Sequence, residues 1–144
     1  MKIIEYMVEY NDFGLPQCAQ IVPVTTVCDT RGRLCIAENK ELPFKVERVF
    51  WITNVPHGQT RGGHAHNICA EIIFPIAGEF DIYIYDKHTG EQTIHMNRPD
   101  QGIYIGPGVW CELTNFKPGT VCMVLASHPY IADGYIHDFK EFLK

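Results

Sequence analysis

The sequence has no apolar run approaching the ~18 residues that a membrane helix needs, so no span is expected. Its six cysteines include no C-x-x-C pair, which removes support for a zinc ribbon or a thioredoxin-like redox motif. Positive charge is not in excess. Twelve Lys and Arg stand against 17 Asp and Glu, a net charge of −5, and no electrostatic reason for nucleic-acid binding follows. The opening MKIIEYMVEY carries Glu5 and Glu9 inside its apolar stretch and does not read as a secretory leader. Repeats, low-complexity tracts and linkers are missing. What is there is 144 residues, 46% hydrophobic and 20% charged, enough apolar material for one compact core and too much for disorder. The expectation is one domain over 1–144, cytoplasmic, with reduced thiols that mostly act as small hydrophobes.

Strand signals dominate. Twelve Gly and nine Pro are spread as punctuation between short runs rich in Val, Ile, Tyr and Phe. The clearest run, FDIYIYD at 80–86, alternates strictly, with Phe80, Ile82 and Ile84 on one face and Asp81, Tyr83 and Tyr85 on the other. Thr89-Gly90 after it reads as a hairpin turn. Further strands are predicted over 19–24, 46–53, 69–76, 92–96, 102–105, 110–114 and 121–126. Such spacing indicates an all-β sandwich or barrel. The stretch DGYIHDFKEFLK at 133–144 places Tyr135, Ile136, Phe139, Phe142 and Leu143 at helix-like offsets, and predicts a short C-terminal helix capped by Asp133.

Residues 58–78 carry the chemistry-bearing pattern Gly58-x5-His64-x-His66-x4-Glu71-x6-Gly78. Histidines at i and i+2 on a strand share a face. Glu71 stands at an odd offset, so a bulge or turn is required to bring it to them. The cluster suits either proton transfer or metal binding, since imidazole titrates near neutrality and also ligates metals. His57, His88, His95, His128 and His137 have no partner motif and are read as structural or surface residues.

The 58–78 segment resembles the first motif of the cupin superfamily, and GIYIGPGVWCELTN at 102–115 resembles its second. A narrower resemblance is carried by RGGHAH, GIYIGPGVWCEL, VCMVLASHPY and YIHDFKEFL, with DTRGRL at 29–34 and ELPFKVERVFWI at 41–52 similar to the family's early strands. Together they look like the sugar-nucleotide 3,4-ketoisomerases. That resemblance implies a double-stranded β-helix, or jelly-roll barrel, with a short C-terminal helix. It implies an isomerase that moves the ketone of a (d)TDP-4-keto-6-deoxyhexose from C4 to C3 in deoxyamino-sugar biosynthesis, without metal or redox cofactor. It also implies a homodimer in which the N-terminal segment 1–23 can be exchanged.

By the same resemblance His64 and His66 are the acid/base pair, His66 acting at carbon and His64 as hydroxyl shuttle or positioning group. Arg31, Arg48 and Arg61 match basic positions suited to a diphosphate or to developing enolate charge. Trp51, Trp110 and Cys111 complete the expected substrate-binding set. Three departures from the family stand out. Phe50-Trp51 replaces an aromatic pair that usually includes Tyr, leaving Tyr104 as one stand-in for a missing phenol. Cys111 stands where His or Arg is usual. Glu71 stands where Gln is usual, and with His64, His66 and Cys111 it would make a four-ligand set for a divalent transition metal. The alternatives are therefore a metal-dependent cupin, and a 3,5-epimerase-like or non-catalytic sugar-nucleotide binder.

Overall fold

The computed structural model describes residues 8–144; the first residues of the MKIIEYMVEY segment lie outside the described residues. Two five-stranded antiparallel sheets face each other as a cupin jelly-roll barrel. One sheet has the order β1 (Ala19–Pro23), β9 (Gln101–Ile105), β6 (Glu71–Ala77), β11 (Val121–Ala126), β4 (Arg48–Thr53). The other has the order β12 (Tyr135–Ile136), β5 (Arg61–His66), β10 (Trp110–Thr114), β7 (Phe80–Asp86), β8 (Gly90–Met96). A separate hairpin, β2 (Thr25–Asp29) and β3 (Gly32–Ile36), belongs to neither sheet. No helix of the described residues is long and apolar enough to cross a membrane.

The alternation of β7 orders the barrel. Phe80, Ile82 and Ile84 turn inward and join Ile73, Ile103, Leu113, Phe116 and Val124 in the core between the sheets. Tyr83 and Tyr85 turn outward onto the cluster of Ala65, Trp110 and Phe142, and Phe139 and Phe142 of α1 (Phe139–Leu143) cover Tyr85. The central strand β6 shows no such alternation because both its faces are covered: Glu71 and Ile73 look into the barrel, while Ile72 and Phe74 pack outward on Leu15, Val22, Phe44 and Tyr104.

The C-terminal segment differs from its predicted form. The cap of α1 is Asp138, whose carboxylate accepts from the N–H groups of Lys140 and Glu141, not Asp133. Asp138-x-x-Glu141 has the spacing of a capping box, and the helix starts there. Tyr135 and Ile136 are therefore strand, paired to β5. Cys69, Cys111 and Cys122 are buried as expected of small hydrophobes, whereas Cys28 is exposed on the hairpin; all six thiols are free.

Candidate active site

Strand β5 presents His64 and His66 to the barrel interior and Ala65 to the helix side. Its entry is kinked by design of sequence. Cys111 pairs with His64 and the next residue, Glu112, pairs with Gly62, so Gly63 is the extra residue of a bulge. Gly62 and Gly63 have φ of +80° and +76°, a region that favours glycine. A side chain on Gly62 would also meet the Cys111 carbonyl oxygen at 3.0 Å.

The turn 67–70 then carries the chain from β5 into β6 and brings Glu71 round to His66. Hydrogen bonds hold it from three sides: the Asn67 N–H to the Gly134 carbonyl at 2.8 Å, the Gly108 N–H to the His66 carbonyl at 2.8 Å, and the Ala70 N–H to Ser127 Oγ at 2.8 Å. This turn resolves the odd offset between His66 and Glu71.

A cavity of about 260 Å³ opens in front of His64 and Glu71; His66, buried against Glu71, does not line it. Its polar end is made by Arg48, Arg61, His64 and Glu71, with Tyr135 beside them, and its floor by Ile52, Ile73, Leu113, Val124 and Cys111. His64 and His66 stand edge to face, ring centroids 4.9 Å apart. His66 Nε2 lies 3.3 Å from Glu71 Oε1. That approach lacks hydrogen-bond geometry, and Nε2 is buried without a hydrogen-bond partner among the described residues. Arg48 Nε is the other buried polar atom in that condition. An unpaired buried polar atom costs about 1–3 kcal/mol; Arg48 and His66 both border a second, much smaller pocket beside the cavity, so the two atoms mark ground suited to a polar partner.

Electrostatics fix the resting protonation. Burial, with the neighbouring His66, lowers the pKa of His64 to about 4, against the opposing pull of Glu71. It is therefore neutral at pH 7, with one ring nitrogen carrying a proton and the other a lone pair. Burial alone would raise Glu71, but His66, His64 and Arg48 outweigh it and hold the carboxyl below its usual value. Burial pushes the Cys111 thiol well up, so it stays protonated. For a metal, His64, His66 and Glu71 offer ligand atoms that all lie within 4.8 Å of one another. Cys111 is outside that group, which reduces the expected four-ligand set to three.

The other expected contacts divide. Arg48 and Arg61 line the cavity, and the Arg48 guanidinium lies over Phe50, 5.2 Å from its ring centroid. Three residues do not line it. Trp110 faces the opposite side of β10, is 4% exposed and packs on Phe139 and Phe142, so it cannot wall this cavity. Trp51 alternates away from Phe50 on β4 and is 67% exposed on the outer surface. Arg31 sits in the β2–β3 turn, ion-paired to Asp29 at 2.6 Å. Tyr104 is fully buried and donates its hydroxyl to the Pro16 carbonyl at 2.7 Å, so it is no stand-in phenol.

Sequence reading missed Tyr135. Its ring lies 4.6 Å from that of His66 and 4.9 Å from that of His64. The alternation of Tyr135 and His137 around Ile136, followed by a capping box, was the available signal. His137, expected at the surface, is exposed yet stacks on Tyr135 at 5.3 Å with 12° between the ring planes.

Residues 17–144 match the protein family described as FdtA: WxcM-like, C-terminal. The chain belongs to this family. Among relatives of this FdtA-family protein, a TDP-4-oxo-6-deoxy-alpha-D-glucose-3,4-oxoisomerase of Aneurinibacillus thermoaerophilus is 33% identical over 126 residues, covering 87% of this chain and 90% of the relative. The solved WlaRB TDP-quinovose 3,4-ketoisomerase of Campylobacter jejuni is 38% identical, with a TM-score of 0.81 over 87% of this chain and 96% of its own. A histidine-to-asparagine variant of the 3,4-ketoisomerase QdtA of Thermoanaerobacterium thermosaccharolyticum was solved with TDP-4-keto-6-deoxyglucose; it is 32% identical, with a TM-score of 0.83 over 87% of this chain and 91% of its own.

Proposed function

We propose that the protein is a sugar-nucleotide 3,4-ketoisomerase acting on a (d)TDP-4-keto-6-deoxyhexose, within one domain and in the cytoplasm, in deoxyamino-sugar biosynthesis. The observation that carries the reading is the union, in one cavity, of His64, an ionised Glu71 and two arginines, with His66 buried directly against Glu71, in a chain 33% identical to a named 3,4-oxoisomerase. The reaction breaks the C3–H bond, giving its proton to a base, while the C4 carbonyl oxygen gains a proton. The resulting enediol then loses the proton of its C3 hydroxyl and gains one at C4. Atoms and electrons balance with no external oxidant. His66 is the group we assign to carbon and His64 to one of the oxygens. Imidazole matches such proton transfers near neutral pH. Arg48 and Arg61 are placed to hold diphosphate or enolate charge.

Incubation with TDP-4-keto-6-deoxyglucose in D2O, followed by NMR, should show the ketone signal move from C4 to C3 with deuterium entering at C4. Silence across several nucleotide carriers would end the proposal. Deuterium at C3 and C5 without ketone migration would identify an epimerase instead. The convergence of His64, His66 and Glu71 favours one second reading, a metal-dependent cupin. Elemental analysis of the same sample separates the two: the isomerase reading expects full activity without stoichiometric metal.

A homodimer belongs to the same proposal. On the β2–β3 hairpin Val27 and Leu34 are cross-strand partners and both are exposed; on edge strand β4 so are Val49 and Trp51. Uncovered apolar edges of this kind invite a second copy. Since Arg31 and Trp51 do not reach this chain's own cavity, a part for either in substrate binding requires that copy. Sedimentation should give twice the chain mass, and Trp51→Asp should return it to one; a wild-type monomer at micromolar concentration would refute the assembly.

A further inference from the structure

Isomerisation moves hydrogen at two carbons and also at two oxygens: O4 must gain a proton and O3 must lose one. With His64 assigned to one oxygen, the group at the other makes one transfer and must be restored before the next turnover, which a group that both donates and accepts does without leaving a net charge behind. Most of the cavity cannot supply it. Arg48 and Arg61 only donate, ionised Glu71 only accepts, Phe50 has no hydroxyl, and the Cys111 thiol is a weak donor. Among the described side chains that line the cavity, the single hydroxyl is that of Tyr135.

Its placement is set by strand pairing. Tyr135 is the register partner of His66 and Ile136 that of Ala65, which carries His137 to the position opposite His64. Two i, i+2 ring pairs on adjacent antiparallel strands thus face each other. Tyr135 contacts both histidines of β5, while His137 stacks on it from the solvent side. The ring is held before any ligand arrives, the condition under which a positioned hydroxyl contributes most.

We propose that Tyr135 is a catalytic residue, its hydroxyl carrying the proton at the substrate oxygen that His64 does not serve. This rests on the ketoisomerase reading above. The test is Tyr135→Phe, which keeps the ring and removes only the oxygen. In the D2O assay kcat for ketone migration should fall by about a hundredfold or more, with KM and TDP affinity within about threefold of wild type and the melting temperature unchanged. Exchange of the C3 hydrogen should persist, so the ratio of exchange to migration should rise. A hydroxyl that only positioned the ligand would lower exchange and migration together when removed, and that result overturns the proposal. So does wild-type kcat in Tyr135→Phe. The double variant Tyr135→Phe/Phe50→Tyr, which returns a phenol to another wall of the cavity, should recover part of the loss. A wild-type protein without ketone migration would overturn the ketoisomerase reading itself. Active wild type with an equally active Tyr135→Phe removes only the tyrosine's role.

Discussion

His66→Asn is expected to lower ketone migration by about a hundred- to ten-thousand-fold, the span associated with losing a positioned acid/base group. His66 is 4% exposed, and its Nε2 reaches no hydrogen-bond partner among the described residues although Glu71 Oε1 is 3.3 Å away. The imidazole is held against a carboxylate, so a proton it takes from carbon would be placed beside an anion. Asn has similar width and polar atoms but no basic nitrogen, so folding and nucleotide binding should survive. Calorimetric titration with TDP and the NMR assay on one sample read the two separately. Migration within threefold of wild type would move the carbon base elsewhere, His64 being the adjacent imidazole.

Trp110→Ala is expected to cost about 3–5 kcal/mol, the usual range for removing a large buried aromatic. For a chain of this length that corresponds to a melting temperature lower by on the order of 10 °C. The indole fills the space between sheet and helix, with ring contacts at 5.1 Å to Phe139 and 5.7 Å to Phe142. Its loss should loosen α1 first. Thermal unfolding followed by circular dichroism checks the number. A variant with unchanged melting temperature but weakened TDP binding would restore the role in ligand contact that the sequence alone indicated.

Trp110 also shows what is and is not legible in one dimension. The strands were readable wherever one face is wet, as in β7, because burial imposes a period of two. The His64, His66 pair was readable because i and i+2 on a strand share a face. Which face a tryptophan takes was not, since its neighbour Cys111 could occupy either side equally well. Only the inward set of β10, fixed by the pairing of Cys111 with His64, sends Trp110 outward. Trp51 went astray for the same reason next to Phe50. Tyr135 was lost differently: one acidic residue taken as the cap, Asp133 instead of Asp138, moved a strand residue into a helix and hid a cavity wall. The hairpin β2–β3, with no core to face, left little apolar alternation to read.

The pairing order has a consequence for how the protein is made. Arg48 on β4 and His64 and His66 on β5 emerge early from the ribosome, but β4 pairs with β11, and β5 with β10 and β12. Synthesis proceeds at about 5–20 residues per second, so the future acid/base strands wait for seconds as bare edges until partners some fifty to eighty positions later arrive. Helical bundles close locally as they appear; this barrel shuts late, and its reactive residues are enclosed among the last. Nascent-chain chaperones should therefore engage it chiefly through β4 and β5.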